Sequence, residues 1–186
     1  VQERSGKVTR KNISSWVPEL SAAEQRTLAR ASMLESGKLA TEIFSVYPHS
    51  PSWLESKVVR IHGEDLIKSE IAKGKGLIIL APHVGNWEVL SCLIPKYGKL
   101  TALYQPPKQA FLESLIIEAR QRNGATVVPT NRRGMVKLLA SLKAGGITAV
   151  LPDQNPARGS GGFAPFFGHP AYTMTLVQSL LARVKC

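Results

Sequence analysis

Residues Gly76 to Leu90 read Gly-Leu-Ile-Ile-Leu-Ala-Pro-His-Val-Gly-Asn-Trp-Glu-Val-Leu. Leu77 to Ala81 is an uninterrupted apolar run, the pattern of a strand that is buried on both faces of a parallel sheet. Pro82 cannot donate a ladder hydrogen bond, so strand pairing should stop there. His83 follows at once, at the carboxyl end of the strand, where α/β sheets place their ligands. The stretch therefore predicts a buried strand that delivers functional side chains.

Strand and helix patterns alternate on both sides of this stretch. Predicted strands cover Lys57–His62, Leu77–Ala81, Leu100–Tyr104, Ala125–Val128 and Ile147–Leu151. Predicted helices cover Glu64–Lys73, Asn86–Tyr97, Phe111–Ala119, Met135–Leu142 and, after a long loop from Pro152 to Pro170, Ala171–Val184. Repeated βα units of this length predict an α/β fold with a mostly parallel central sheet covered by helices.

A helical segment precedes the α/β part. Residues 1–20 are polar and basic, and Ser21 with Glu24 has the form of a capping box that starts a helix reaching about Tyr47. We expect an N-terminal basic, helical segment over residues 1–56 and an α/β domain over residues 57–186.

Composition limits the classes of protein to which the chain can belong. Its 186 residues are 44% hydrophobic, which is enough for one sizeable core. Cys92 and Cys186 are too few for a disulfide framework, and no Cys/His spacing indicates a metal site, so we expect neither metal nor cofactor. The excess of 24 Lys and Arg over 13 Asp and Glu, net +11, favours anionic partners.

His83 and Glu88 are the candidate catalytic pair. Positions i and i+5 do not share a helix face, so the two side chains can meet only if His83 lies on the turn ahead of the helix. A carboxylate bonded to one ring nitrogen fixes the tautomer and makes the other nitrogen a general base. The alternative is a histidine that merely satisfies its hydrogen bonds at a helix start. Asn86 and nearby backbone amides are candidate donors to an oxyanion.

Further candidate residues follow the later strands. Arg120 and Arg122 are candidate phosphate contacts, because guanidinium binds phosphate oxygens bidentately, although a solvated helix C-terminus explains them equally well. Asp153 and Gln154 end another strand, and for Asp153 a loop clamp or an arginine partner is favoured over acid–base chemistry. Phe163, Phe166 and Phe167 would line an apolar channel or cap the core. Arg132 and Arg133 have the same two interpretations as Arg120 and Arg122, with the solvated face favoured.

These motifs together resemble a known family. Ala81-Pro-His-Val-Gly-Asn-Trp-Glu88 is similar to the His-X4-Asp/Glu box of glycerolipid acyltransferases, and more narrowly to that of the bacterial lipid A biosynthesis acyltransferases. Further similar segments are Leu103-Tyr-Gln-Pro106, Arg120 with Arg122, Leu151-Pro-Asp-Gln154 and Phe163 to Thr173. The resemblance covers nearly the whole chain, although Gln105 stands where many members have Arg.

The resemblance implies transfer of a fatty acyl group from an acyl-carrier-protein thioester to a hydroxyl of a phosphorylated lipid A precursor. His83 would be the general base, Glu88 would orient it, and Asn86, Arg120, Arg122, Asp153, Gln154, Phe166 and Phe167 would bind substrate. The resemblance also implies that the protein is located at the cytoplasmic face of the inner membrane. It further implies contact with an anionic membrane surface. We expect the family's N-terminal anchor and last strands to lie outside this chain.

Other functions remain open at this point. One is an acyltransferase for another glycolipid or a lysophospholipid that uses acyl-coenzyme A. Another is a basic membrane-surface module without chemistry. We expect no nucleic-acid partner, because aromatics are only 6% of the chain and none interleaves with the basic stretch. A serine hydrolase is disfavoured, because the sequence has no Gly-x-Ser-x-Gly elbow.

Overall fold

The structure, a computed structural model, describes residues 2–105 and 110–184. Val1, Pro106 and Cys186 lie outside the described residues, as do the side chains of Phe111, Leu112 and Leu115 on the predicted helix face. The helices are α1 Gln2–Trp16, α2 Ala22–Val46, α3 Pro51–Lys57, α4 Glu64–Ala72, α5 Glu88–Leu93, α6 Ala110–Arg122, α7 Arg132–Lys143 and α8 Leu176–Leu181. The strands are β1 Leu77–Leu80, β2 Thr101–Tyr104, β3 Thr126–Pro129, β4 Ile147–Val150, β5 Gly161–Phe166 and β6 His169–Met174.

Two parallel strand pairs form the centre of the fold. β1 pairs with β4, Leu77 opposite Ile147, and β2 pairs with β3, Thr101 opposite Thr126. A bridge between Leu100 and Ile147 joins the pairs, so the strands lie in the order β1-β4-β2-β3. The predicted α/β class, with short parallel strands, covering helices and an N-terminal helical segment, is confirmed.

β1 differs from its prediction in burial. The apolar run predicts burial on both faces, but Leu77 to Ile79 are only half-buried and Leu80 is 56% exposed. Among the described residues β1 pairs on one edge only, with β4, so its side chains have fewer neighbours than those of a central strand.

The N-terminal segment is more helical than its composition predicts. The capping box at Ser21 and Glu24 is confirmed by reciprocal hydrogen bonds, with the Ser21 amide donating to the Glu24 carboxylate at 2.8 Å. Residues 2–16, predicted only as polar and basic, form α1, which packs on α2 through buried Ile13 and the Thr9–Met33 contact at 3.6 Å. No helix in the described ranges has the length and apolarity required to cross a bilayer.

The predicted long loop from Pro152 to Pro170 is wrong, because β5 and β6 form an antiparallel hairpin there. The two turn residues, Phe167 at φ 48° and Gly168 at φ 75°, both have left-handed backbone, as a type I′ hairpin turn requires. Asn-Gly is the usual sequence for such a turn, and a phenylalanine at the first position hid the signal. The hairpin also takes up the start of the helix predicted at Ala171–Val184, which in the structure is only α8.

Two other boundaries also change. Residues 58–61, part of the predicted strand Lys57–His62, adopt no regular structure, and Val59 is 99% exposed. Among the described residues this β-branched run pairs with no strand. The helix predicted to begin at Asn86 begins at Glu88, and its last part, Ile94–Lys96, is a 3₁₀ turn.

α7 packs tightly on the sheet. Leu138 and Leu142, one turn apart on α7, are almost fully buried and cluster with Val150 of β4 and Leu180 of α8. The helix can approach β3 because position 134 is glycine, since a Cβ there would overlap the Pro129 carbonyl oxygen. This contact holds α7 against the strand that it follows.

We expect Gly134→Ala to lower the free energy of unfolding by about 1–3 kcal/mol, the usual cost of overpacking. Gly37→Ala is the matched control, because Gly37 also lies in a helix but has no atom within 4 Å of an added Cβ. Gly37→Ala should raise the free energy of unfolding by roughly 0.5–1 kcal/mol, because alanine has a higher helix propensity than glycine. Urea denaturation measures both, and equal effects of the two changes would contradict the close packing of α7.

Candidate active site

His83 lies on the turn between β1 and α5. The Ala81 amide donates to the Val150 carbonyl at 2.9 Å, so pairing with β4 continues one residue beyond β1. Pro82 then ends the pairing, and Gly85, at φ 60°, turns the chain back toward α5 in a conformation that glycine adopts readily. This leaves the His83 side chain, 21% exposed, at the carboxyl end of the parallel strands.

Asp153 is the carboxylate partner of His83. One carboxylate oxygen accepts the His83 backbone amide at 2.7 Å, and the other lies 2.8 Å from Nδ1. Partial burial would raise the pKa of Asp153, but the hydrogen bonds from His83 outweigh it and lower the pKa below the ordinary 3.8. The bonds stabilise the fold fully above the unfolded pKa, about 3.9, and this stabilisation is lost as pH falls through the lower folded pKa.

These contacts set the tautomer of the imidazole. An ionised Asp153 can only accept, so Nδ1 carries the proton and Nε2 has the free lone pair. The Gln154 side-chain nitrogen lies 3.0 Å from Nε2 and donates to it. The Trp87 ring packs edge-on against the imidazole, with centroids 4.4 Å apart. Nε2 is therefore the basic atom of the ring.

Glu88 does not have the position that we predicted for it. Its buried carboxylate binds Arg120, with Nη2 at 2.8 and 3.1 Å from its two oxygens and Nε at 3.4 Å from one of them. Both ring nitrogens of His83 have other partners, Asp153 and Gln154, so the structure does not bring Glu88 and His83 together as we predicted. Glu88 begins α5, and its side chain is directed to α6 rather than back over the turn.

The same ion pair gives Arg120 a partner within the protein. Nε and Nη2 of the guanidinium are bound to a buried carboxylate, and only 19% of the side chain is exposed, so Arg120 has a structural partner that we did not predict. Burial and the Glu88 charge together raise the pKa of Tyr47, which adjoins the pair. Arg122, which is exposed, donates to the Tyr47 carbonyl at 3.2 Å. The pair and the Arg122 bond thus tie α5, α6 and the end of α2 together.

An open cleft of about 670 Å³ lies beside the His83–Asp153 pair. Its near wall contains His83, Gly85, Trp87, Asp153 and Gln154. Its far wall is one side of α2, with Ser32, Glu35, Ser36, Lys38, Leu39 and Glu42. The arrangement can accept a polar molecule next to Nε2.

The far wall was not predicted from the sequence. Its residues form no motif, and only the packing of α2 over the turn brings them to the cleft. Asn86 connects the walls, since its Nδ2 donates to Glu42 at 3.3 Å, while its buried Oδ1 has no partner among the described residues. This bond uses one of the two N–H donors of the amide that we expected to face an oxyanion.

The aromatic hairpin residues do not reach this cleft. Phe166 and Phe167 are 50% and 60% exposed and pack on Trp16, with ring centroids 5.7 and 5.6 Å away. The His169 ring also contacts the Ser15 carbonyl at 3.1 Å, so the hairpin turn rests on the end of α1. In the part of the chain that the structure describes, no three His, Cys, Asp or Glu side chains converge as a metal site requires.

The chain is similar to acyltransferases of bacterial glycolipids. The family described as bacterial lipid A biosynthesis acyltransferase matches residues 1–186. The lipid A biosynthesis palmitoleoyltransferase of Escherichia coli (strain K12) is 25% identical over 187 aligned positions, which cover 98% of this chain. A phosphatidylinositol mannoside acyltransferase of Mycobacterium tuberculosis (strain CDC 1551 / Oshkosh) is 26% identical over 166 positions, which cover 87% of this chain.

The chain spans only part of these relatives, 59% of the E. coli protein and 52% of the M. tuberculosis protein. Within that part, the family match includes every element that builds the cleft, from α2 to the residues after β4. The chain belongs to the bacterial lipid A biosynthesis acyltransferase family.

Proposed function

We propose that the protein transfers a fatty acyl group from an acyl-carrier-protein thioester to a hydroxyl of a lipid A precursor. The observation that carries this proposal is the 2.8 Å hydrogen bond between His83 Nδ1 and Asp153, at the edge of an open polar cleft. A histidine held in this way is the general base that acyl transfer to a hydroxyl requires. Asp153 takes the orienting role that the sequence analysis gave to Glu88.

The reaction then proceeds without an acyl-enzyme intermediate. Nε2 of His83 takes the proton from the acceptor hydroxyl while that oxygen attacks the thioester carbonyl carbon. A carbon–oxygen bond forms, and the carbonyl oxygen becomes an oxyanion. Collapse of this intermediate breaks the carbon–sulfur bond, and the departing thiolate is protonated by Nε2. The products are an ester and a thiol, and His83 returns to its starting state.

Asp153 stabilises the imidazolium that exists between the two proton transfers. Its lowered pKa keeps it ionised at neutral pH, so it compensates the positive charge without taking the proton. Gln154 occupies the place of the acceptor oxygen in the free protein, 3.0 Å from Nε2. It must turn aside when the acceptor enters, and its amide is then a donor beside the developing oxyanion.

Glu88 and Arg120 act as positioning residues in this proposal. Their buried ion pair fixes the first turn of α5 against α6, and α5 begins five residues after His83. The turn that carries the base is thereby held at both ends, by β4 on one side and by α6 on the other.

The basic charge of the chain supports the proposed partners. A net charge of +11 favours an acidic carrier protein, a phosphorylated acceptor and the anionic cytoplasmic surface of the inner membrane. A second candidate acceptor is another glycolipid, which is supported by the similarity to the phosphatidylinositol mannoside acyltransferase. The α2 wall of the cleft, rich in hydroxyl and carboxylate groups, suits the hydroxyls of either sugar.

We expect Asp153→Asn to lower kcat by roughly 100- to 10,000-fold, because an amide cannot compensate an imidazolium and favours the wrong tautomer. His83→Ala should lower kcat at least as much. Steady-state transfer rates measure both changes, and the downfield proton resonance of His83 Nδ1 should disappear in Asp153→Asn. Transfer at more than a tenth of the wild-type rate in either variant would contradict the proposed base.

Glu88→Gln should affect stability instead. Removing one charge of a buried pair leaves Arg120 uncompensated, and we expect the free energy of unfolding to fall by about 3 kcal/mol. The His83 Nδ1 resonance should persist, and Glu88→Met/Arg120→Met should recover part of the stability because both charges are gone. If Glu88→Gln abolished the resonance in folded protein, Glu88 rather than Asp153 would orient His83.

An acceptor and donor panel tests the substrate. We expect the highest kcat/KM with a carrier-protein thioester and a lipid A precursor, and mass spectrometry identifies the ester that forms. Phosphatidylinositol mannoside as the better acceptor would favour the second candidate. Reaction with only a coenzyme A thioester and lysophospholipid would rule out both glycolipid proposals.

A further inference from the structure

The cleft beside His83 is negatively charged, although the chain as a whole is strongly basic. Its other charged lining residues are Glu35, Lys38, Glu42 and Asp153. Three carboxylates and one ammonium group leave an excess of two negative charges in the cleft while His83 is neutral, whereas the whole chain has a net charge of +11. A cleft lined by one sign of charge concentrates the electric field within it. The reacting end of the cleft therefore differs in potential from the rest of the surface.

The charge of Glu42 is the least compensated of the charges on the far wall. Lys38 lies 2.6 Å from Glu35, and the hydrogen bond and charge of Glu35 raise the pKa of Lys38, with a smaller contribution from Glu42. Within residues 2–105 and 110–184, Glu42 forms no ion pair. Its carboxylate accepts a hydrogen bond from Asn86 Nδ2 at 3.3 Å, and a neutral amide leaves the negative charge in the cleft.

Glu42 lies next to the turn that carries the proposed base. Asn86, which donates to Glu42, follows His83 on that turn, and Glu42 and His83 line the same cleft. A carboxylate accepts hydrogen bonds from hydroxyl groups but has no donor for a phosphate oxygen. It also repels an anionic phosphate over several ångströms, since the Debye length at physiological ionic strength is about 8 Å. The same side chain thus favours a neutral hydroxyl and disfavours a phosphate.

We propose that Glu42 is a specificity-determining residue, which admits a hydroxyl with uncharged neighbours to the reacting end of the cleft and excludes a phosphate from it. This inference rests on the proposed function and narrows its acceptor. The hydroxyl that receives the acyl group is one that is separated from the phosphates of the acceptor, and those phosphates lie outside the cleft. The thioester group of the donor is uncharged, so Glu42 does not repel it.

Alkylation of His83 in the purified protein measures the potential at the reacting end without donor or acceptor. Nε2 displaces iodide from anionic iodoacetate or from iodoacetamide, which is neutral and of similar shape, and mass spectrometry quantifies the modified His83 peptide. We expect Glu42→Gln to raise the ratio of the iodoacetate rate to the iodoacetamide rate roughly three- to tenfold at low salt, the effect of one charge across a solvated cleft. The increase should largely vanish in about 1 M salt, where the Debye length is roughly 3 Å.

Two further variants separate the charge of Glu42 from its hydrogen bond and from the net charge of the chain. Glu42→Gln keeps an oxygen that can accept from Asn86 and removes only the charge, whereas Glu42→Asp keeps the charge and should leave the alkylation ratio close to that of the wild type. The matched control is Glu19→Gln, which removes the same charge from an exposed position between α1 and α2, outside the cleft. Its ratio should not change.

An unchanged ratio in Glu42→Gln, or an equal increase in Glu19→Gln, would overturn the proposal. So would an equal change in the rates of both reagents, because Glu42 would then only hold the turn in place. In transfer assays, Glu42→Gln should raise kcat/KM roughly three- to tenfold for an acceptor with a phosphate next to the acylated hydroxyl, relative to the same acceptor without it. Because alkylation requires no acyl transfer, the expected ratios in a protein that transfers no acyl group would support the role of Glu42 and contradict the proposed function.

Discussion

The parallel pairing of β1 with β4 is the constraint on which the site depends. Because these strands are neighbours, the residues that follow them emerge side by side, and His83 meets Asp153 although 70 residues separate them. The register sets the geometry further, since Leu80 lies opposite Val150 and the Ala81 amide continues the ladder by one bond. A shift of one residue would send the two side chains to different faces of the sheet.

Two carboxylates, Glu88 paired with Arg120 and Asp153 paired with His83, have different proposed roles. Glu88 is buried, and its charge is balanced by a guanidinium that is itself mostly enclosed. Asp153 is 38% exposed and keeps its charge through hydrogen bonds from His83. A buried, paired carboxylate suits a structural tie, whereas a partly solvated one can respond to a change of charge on the imidazole. Glu88 and Asp153 are both carboxylic acids, and the difference in burial between them is the basis for their different proposed roles.

α2 links the parts of the molecule. Its second half forms the polar far wall of the cleft, and Glu42 contacts the turn that carries His83 through Asn86. Its first half packs on α1, and residues of both helices, including Arg10 and Arg26, line a cavity between them. The N-terminal segment therefore contributes one wall of the cleft, which its sequence pattern alone did not indicate.

Local signals in the sequence determined the βα alternation, the capping box at Ser21 and the position of His83 after a strand, because hydrophobic period, helix caps and proline act over a few residues. They did not reveal the Phe167-Gly168 turn, whose backbone differs from what its residues prefer. Local signals also did not determine the strand order, because β1 pairs with a strand that is distant in the sequence and the strands have similar composition. The tertiary structure alone therefore decided that Asp153, not Glu88, is the partner of His83, and that Arg120 neutralises a buried charge.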